Sequence, residues 1–172
     1  MKQIVILFIS LCLFGCKQTF KEGDLVFQQS QSRQSSLIQK ATGSKWTHCG
    51  IIIEKDDGLY VLEASKTVRL TPFDQWKARG KGGSIKSRRV MDDTLKIKYQ
   101  KYLGKSYDQA FRFDNNKWYC SELIYDIYKN QFGVELCKPR KVKEYQIEDM
   151  EKQMRKRGIT QEQFVVAPSD LL

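Results

Sequence analysis

Histidine is nearly absent from this chain, with one residue, His48, among 172. Transition-metal sites in proteins are usually built from several His and Cys side chains, the cysteines standing in close pairs. The cysteines beyond residue 16 are Cys49, Cys120 and Cys137, which are far apart in sequence. A structural metal is therefore not expected, and because three is an odd number, these cysteines cannot all form disulfides with one another.

Proline is also scarce, with three residues, and the chain has neither a low-complexity run nor an internal repeat. These absences argue against an extended or disordered protein. With 41% apolar and 12% aromatic residues the chain can bury one core. We therefore predict a single domain over residues 23–172.

Long apolar runs are missing except at residues 4–14, which follow Lys2 and are too short to span a bilayer stably. This arrangement predicts a secretory signal peptide over residues 1–15. Leu13-Phe14-Gly15-Cys16 resembles a bacterial lipobox, so we expect Cys16 to be lipidated and residues 16–22 to form a tether. An ordinary signal peptide with an incidental cysteine is the alternative. The expected location is the bacterial cell envelope, where the protein would be a membrane-anchored lipoprotein on the periplasmic or surface side.

Acidic residues are too few to balance the basic ones, 20 against 30, for a formal charge of +10. The basic residues concentrate in 77–89 and 138–157. Such a balance often indicates nucleic-acid binding, but an exported, tethered protein rarely meets nucleic acid. Anionic lipid head groups or acidic wall polymer are the expected partners, and a solvated basic face without a partner is the alternative.

Apolar periodicity and turn residues predict helices and antiparallel strands that are segregated along the chain, an α+β fold. A hairpin of residues 47–54 and 59–64 is the clearest local prediction. Further strands are predicted at residues 25–28, 68–70, 85–90 and 164–166. Helical segments are predicted at residues 30–41, 72–78, 92–103, 120–132 and 147–157.

Cys120 is the candidate nucleophile because it begins the best amphipathic helix, which Gly133 ends. The partial positive charge at a helix N-terminus favours the thiolate and lowers the pKa of such a cysteine. Cys120 also lies on the inward stripe of the helix, so a purely structural, buried cysteine is the alternative.

His48 is the one imidazole available as a base for a thiol hydrolase. Strand alternation places Cys49 on the opposite face from His48, so Cys49 is not expected to be the nucleophile. Glu63 falls on the apolar face of the next strand, where a carboxylate needs a partner such as an imidazolium. It would then orient the ring of His48, or, alternatively, reach solvent or a lysine.

Five short motifs occur in a fixed order, and together they resemble the circularly permuted branch of the NlpC-type, papain-like cysteine hydrolases, the YiiX/YebB-like group. They are Gly23-Asp24-Leu25-Val26, Thr47-His48-Cys49-Gly50-Ile51, Val61-Leu62-Glu63-Ala64, Gly104-Lys105-Ser106-Tyr107-Asp108 and Tyr119-Cys120-Ser121-Glu122-Leu123. As in that branch, the histidine motif precedes the cysteine motif.

The resemblance implies a papain-like α+β core in which Cys120, at a helix N-terminus, packs on a small antiparallel sheet that carries His48 and Glu63. It also implies that Tyr107 binds substrate or stabilises the oxyanion. Asp24 and Glu122 match motif positions that support the structure. Residues 138–172 match no motif of the group.

These residues predict a cysteine hydrolase that needs no cofactor and acts as a monomer. We expect it to cleave an amide in a cell-envelope peptide of the peptidoglycan type. Relatives of the same architecture suggest an alternative, an acyl hydrolase or acyltransferase acting on lipids or N-acyl amides. A catalytically inactive, envelope-binding lipoprotein is the alternative outside the enzymes.

Overall fold

The structure of the chain is a computed structural model that describes residues 19–92, 95–113 and 115–172. The predicted signal peptide and Cys16 lie outside the described residues. Phe20 packs against Phe73 with tilted rings and 4.8 Å between the ring centroids, and Glu22 is buried. The packed domain therefore includes two residues that the sequence assigned to the tether. Within the described part, no helix has the length and apolar character needed to cross a bilayer.

A five-stranded antiparallel sheet forms the centre of the fold, with the strand order β4-β3-β2-β1-β5. Its strands are β1 Leu25–Ser30, β2 His48–Lys55, β3 Gly58–Ala64, β4 Val68–Pro72 and β5 Gly80–Arg88. A separate two-stranded ribbon pairs β6 Arg140–Lys141 with β7 Phe164–Val165. The predicted hairpin of β2 and β3 is confirmed, with Ile51 opposite Leu62.

Helices cover both faces of the sheet. Among the described residues the α-helices are α1 Ser35–Thr42, α2 Phe73–Ala78, α3 Cys120–Phe132 and α4 Glu151–Arg157. Buried residues of α3 pack on the face that carries Phe27, Ile51 and Leu62. On the opposite face, Trp76 of α2 packs on Val26, Ile52 and Val61. The α+β architecture predicted from the sequence is therefore confirmed.

Gly50 allows β2 and β3 to approach each other closely beside the site. A Cβ atom at this position would lie 2.2 Å from Cγ1 of Val61 and 2.8 Å from the carbonyl oxygen of Leu62. Neither distance is tolerated, because both are below 3.0 Å, which Cβ contacts in proteins essentially never reach. The hairpin pairing that brings Glu63 near His48 thus depends on a residue without a side chain.

The helix predicted over residues 92–103 is wrong in the described part of that segment. Leu95 and Ile97 are buried while Lys96 and Lys98 are exposed, which is the two-residue alternation of extended chain. The backbone N–H of Ile97 donates to Glu22 instead of to a helical carbonyl, at 2.8 Å. The helical structure described here is a single 3₁₀ turn, Gln100–Tyr102.

Three other boundaries differ from the prediction by about four residues or more. Residues 80–83, predicted as a loop, begin β5, because Ser30 pairs with Gly80 across an irregularity in the ladder. The helix expected from residue 30 begins at Ser35, since Ser30 still belongs to β1. The helix expected from residue 147 begins at Glu151.

Candidate active site

Three elements bring Cys120, His48 and Glu63 together at one end of the sheet. Cys120 is the first residue of α3, His48 is the first residue of β2, and Glu63 is the last but one of β3. The imidazole Nε2 and the carboxylate Oε2 of Glu63 are 2.7 Å apart. A further hydrogen bond joins the imidazole to the thiol of Cys120. Because Nε2 faces Glu63, Nδ1 is the ring nitrogen that serves Cys120.

Glu63 is a fully buried carboxylate with a complete set of donors. Besides His48, it accepts hydrogen bonds at Oε1 from Arg69 Nε (3.2 Å), Thr71 Oγ1 (2.7 Å) and Arg79 Nη2 (2.5 Å). Burial by itself would raise the pKa of this carboxyl. The hydrogen bond and charge of His48, together with the hydrogen bonds from Arg79 and Thr71, instead hold the pKa well below its usual range. Glu63 is therefore ionised and fixed in position.

The thiol and the imidazole share a proton in a way that favours the ion pair. Burial disfavours a charged imidazole, but hydrogen bonds and charge from Cys120 and Glu63 outweigh it and raise the pKa of His48 to about 9. The pKa of Cys120 is held well below its usual value, chiefly by a hydrogen bond from Cys49 and then by His48, against the opposing effect of burial. At neutral pH the favoured state is a thiolate beside an imidazolium.

Cys49 lies on the opposite face of β2 from His48, as strand alternation predicted, but that face is the one that α3 covers. Its thiol therefore reaches Cys120 and donates a hydrogen bond to the sulfur. Burial and the nearby Cys120 raise the pKa of Cys49 well above its usual value, so it remains a protonated donor. Sequence reasoning missed this contact. Cys49, Cys120 and Cys137 are all free thiols.

Tyr107 lines the same pocket as Cys120, and its hydroxyl donates to Oε1 of Gln34 at 3.4 Å. Burial, followed by the charge of Cys120, raises the pKa of its hydroxyl well above the usual value, so the hydroxyl stays protonated. Its loop is held by a bridge from Tyr107 to Trp118 and by the carboxylate of Asp108, which accepts three hydrogen bonds from Ala110, Arg112 and Asn115.

The two motif residues Asp24 and Glu122 hold backbone and side chains in place and do not reach the thiol. Asp24 is buried and accepts two hydrogen bonds from Arg89, at 2.8 and 2.7 Å, and one from the N–H of Lys21. The carboxylate of Glu122 accepts a hydrogen bond from the N–H of Tyr119 at 3.3 Å, which closes the first turn of α3.

Two cavities of different character share lining residues at the site. A pocket of about 140 Å³ with almost entirely apolar walls is lined by Cys120, by α1 and α4, and by residues of the 138–172 segment. A larger polar cleft of about 810 Å³ is lined by His48, Gln28, Arg33, Lys66 and Arg79. Tyr107 lines both cavities. The segment that matched no motif thus forms a wall next to the candidate nucleophile.

A helix-borne thiol, a strand-borne imidazole and an orienting carboxylate on an antiparallel sheet define a papain-like cysteine amidase fold, here with the histidine preceding the cysteine. The model of the family described as "Permuted papain-like amidase enzyme, YaeF/YiiX, C92 family" matches residues 19–172 of the chain. The chain belongs to this family.

Two relatives from Escherichia coli are similar to the chain. The uncharacterized protein YiiX of strain K12 is 35% identical over an alignment of 159 positions, and the match covers 85% of this chain and 78% of that protein. A crystal structure described as metalloprotein yiiX from strain O157:H7 has a TM-score of 0.79 and 34% identity, covering 88% of this chain and 91% of the other.

The word metalloprotein in that description applies to the relative. Among the described residues of the present chain, no group of three or more His, Cys, Asp or Glu side chains is arranged to hold a metal ion. The donors do not fit a metal site, and the chemistry proposed below uses the side chains of the protein alone.

Proposed function

We propose that this chain is a cysteine amidase that cleaves its substrate through an acyl-enzyme on Cys120. The observation that carries the proposal is the position of the His48 ring, which neighbours Cys120 at the start of α3 and lies 2.7 Å from the buried carboxylate of Glu63. This arrangement favours a thiolate beside an imidazolium. This is the arrangement that an activated nucleophile requires: a base within hydrogen-bond reach, oriented by a third group.

The reaction has two steps. The thiolate attacks the amide carbonyl, and the imidazolium of His48 gives its proton to the departing amine as the C–N bond breaks. A water molecule then loses a proton to neutral His48 and attacks the thioester, which releases the acid and restores the ion pair. Glu63 keeps the ring in place throughout.

The oxyanion formed in each step needs donors near the sulfur. The first backbone N–H groups of a helix have no intrahelical partner, and α3 begins at Cys120. The protonated hydroxyl of Tyr107 is the second donor that we propose. Loss of one oxyanion donor typically lowers kcat about 10²–10³-fold.

A thiol-directed activity probe tests the assignment. We expect the probe to label Cys120 rapidly, the Cys120→Ala variant to lose both labelling and hydrolysis, and the Cys137→Ala control to keep both. Mass-spectrometric mapping of the label to Cys49 or Cys137 in the parent protein would contradict the proposed nucleophile.

We place the enzyme in the cell envelope, anchored through a lipid on Cys16, with an envelope molecule as its substrate. The lipobox-like sequence and the basic excess support this location. In cells, a Cys16→Ser variant is expected to leave the membrane fraction. Equal membrane association of the two forms would contradict anchoring through this residue.

The competing function is a catalytically inactive protein that binds envelope material. It differs in its prediction, since binding and cellular function would then survive Cys120→Ala and His48→Ala unchanged. The buried carboxylate of Glu63, with its four hydrogen-bonding partners, favours the enzyme, because a passive binder has no need of an oriented imidazolium.

A further inference from the structure

A second buried thiol is in contact with the candidate nucleophile. Cys49 is fully buried and Cys120 is 4% exposed, and both belong to the core cluster that α3 forms with the sheet. The sulfur of Cys120 accepts hydrogen bonds from the thiol and from the backbone N–H of Cys49. The amidase reaction proposed above forms no bond to the sulfur of Cys49, so a second reactive group lies in the site without a reaction of its own.

The arrangement of these two cysteines suits a disulfide. A disulfide requires Cα atoms within about 7 Å of each other and side chains that point towards each other. The hydrogen bond between the two thiols meets the second requirement. Because the backbone N–H of Cys49 also reaches the sulfur of Cys120, the start of α3 and the main chain of β2 are close to each other as well. A bond between the two sulfur atoms would therefore link β2 to the first residue of α3.

The two thiols differ in reactivity in the way that a redox pair requires. The neighbouring donors hold the pKa of Cys120 well below its usual value, so its sulfur is a thiolate, the form that peroxides oxidise. Burial, and then the contact with Cys120, raise the pKa of Cys49 well above its usual value. Oxidation of Cys120 to an uncharged sulfenic acid removes the negative charge beside Cys49. The thiol of Cys49 then loses its proton more readily and becomes the better nucleophile of the two.

An oxidant from solution reaches Cys120 before it reaches Cys49. Cys120 lines a pocket of about 140 Å³, which admits a molecule as small as hydrogen peroxide. Cys49 lines neither that pocket nor the polar cleft. The order of events is therefore oxidation at Cys120 followed by attack from Cys49.

Cys137 provides a comparison within the same chain. It is a free, partly buried thiol, and burial raises its pKa to about 11. The charges that act on it are those of Asp170, Glu135 and Arg88, whereas Cys49 responds to Cys120. Cys137 is therefore expected neither to react early with a peroxide nor to pair with Cys120.

We propose that Cys49 is the resolving cysteine of a peroxide-sensitive switch, in which oxidation joins Cys49 to Cys120 through a disulfide and blocks the site reversibly. The inference concerns regulation of the site of the proposed function and rests on that function for its effect on hydrolysis. Disulfides persist in oxidising compartments, and the cell envelope proposed above is such a compartment.

The chemistry balances with one peroxide and no other reactant. The thiolate of Cys120 attacks one peroxide oxygen, the O–O bond breaks, and the departing hydroxide takes the proton of the His48 imidazolium to form water. The sulfur of Cys49 then attacks the sulfenic sulfur, the S–O bond breaks, and the hydroxide leaves with the proton of the thiol as a second water. The two sulfur atoms are oxidised by two electrons, and the peroxide is reduced to water.

The disulfide also protects the nucleophile. Without a neighbouring thiol, a sulfenic acid reacts with further peroxide to sulfinic and sulfonic acids, which ordinary thiols do not reduce. A disulfide returns to two thiols by exchange with an external thiol. Cys49 would thus convert a permanent loss of activity into a temporary one.

Treatment of the full chain with an excess of hydrogen peroxide tests the pairing directly. Mass spectrometry after trypsin digestion should show residues 46–55 linked to residues 118–129, the fragments that contain Cys49 and Cys120. Labelling of Cys120 by the thiol-directed probe and amide hydrolysis should fall in parallel. Dithiothreitol should restore at least about nine tenths of both.

A Cys49→Ser variant tests the resolving role with little change in the surroundings of Cys120. Its hydroxyl remains a hydrogen-bond donor to the sulfur but cannot form a disulfide. After the same treatment, dithiothreitol should restore less than about a tenth of the labelling, and Cys120 should carry two or three added oxygen atoms. Cys137→Ala removes a thiol elsewhere in the chain and should recover as the parent protein does.

The outcomes separate this inference from the proposed function. If the Cys49–Cys120 link forms and the untreated protein hydrolyses no amide, the switch stands and the proposed catalysis fails. If the protein hydrolyses amides but peroxide produces no such link, the catalysis stands and the switch is overturned. A link from Cys120 to Cys137 or to a second copy of the chain, or full recovery of Cys49→Ser, also overturns it.

Discussion

The imidazole of His48 is held from two directions, by the sulfur of Cys120 at one nitrogen and by Glu63 at the other. Each contact stabilises the charged ring, so its pKa lies about 9 in spite of burial. Cys49 acts on the same pair from the other side, because its thiol donates to the sulfur. The acidity of the site is therefore set by four neighbouring side chains.

Removing the donor at Cys49 should change the acidity of Cys120 without removing either member of the ion pair. In Cys49→Ala we expect the pKa of Cys120 to rise, because the thiolate loses a hydrogen bond. The rate of alkylation of Cys120 by iodoacetamide, measured against pH, reports this pKa. Its rise with pH should occur at higher pH in Cys49→Ala than in the parent protein. Cys137→Ala is the control, and an unchanged pH dependence in Cys49→Ala would contradict the contact.

Neutralising Glu63 should affect the alkaline limb of the pH profile of hydrolysis. Hydrolysis needs the imidazolium, so activity of the parent should fall as the pH rises past about 9, where His48 loses its proton. In Glu63→Gln the pKa of His48 drops, this limb moves to lower pH, and kcat falls by about 10²-fold or more. Glu54→Gln, the same change at an exposed position of β2, should leave the profile in place. An unaltered pH profile of hydrolysis in Glu63→Gln would contradict the orienting role of Glu63.

At the scale of elements, the correct predictions are those for segments whose own sequence carries both the apolar periodicity and the residues that begin and end the element. The start and end of α3 agree with its apolar stripe and with Gly133, whose φ of 68° suits a helix stop. The helix prediction for the segment around Leu95 and Ile97 was wrong because its composition is typical of a helix, whereas its buried and exposed residues alternate as in extended chain. Its backbone N–H groups donate to the side chains of Glu22 and Gln131. Partners distant in sequence decide such a segment.

The β2–β3 pairing offers an element-scale prediction. Gly50→Ala should lower the free energy of unfolding by about 1–3 kcal/mol, because the new methyl meets Val61 and the carbonyl of Leu62. Urea denaturation measures this loss. Gly50→Ala/Val61→Ala should lose less than the sum of the two single variants, since one of the two clashes is removed. Strict additivity would show that Val61 does not limit the approach.

Across the whole molecule, the candidate site is assembled from segments far apart in sequence. The motif order predicted that Cys120, His48 and Glu63 would meet, and the structure brings them together. The sequence did not predict the apolar pocket, because its wall combines α1 with the 138–172 segment, and neither carries a signal for the other. The Cys49–Cys120 contact was missed for the same reason, since it depends on which face α3 covers.

The basic excess leads to a prediction for the complete protein. We expect the full chain to bind vesicles containing anionic lipid more tightly than neutral vesicles, with the difference shrinking as ionic strength rises from 0.05 M to about 0.5 M. Vesicle co-sedimentation measures both effects. Equal binding to the two kinds of vesicle would contradict this prediction and would indicate that the basic residues are solvated without a lipid partner.

The single histidine has a practical consequence for spectroscopy. In an untagged sample, every imidazole resonance in a nuclear magnetic resonance spectrum arises from His48, so no assignment step is needed. Its ¹⁵N chemical shifts distinguish the two tautomers from the doubly protonated ring, and a titration followed by these signals reads the state of the ion pair in the resting protein, before any substrate is known.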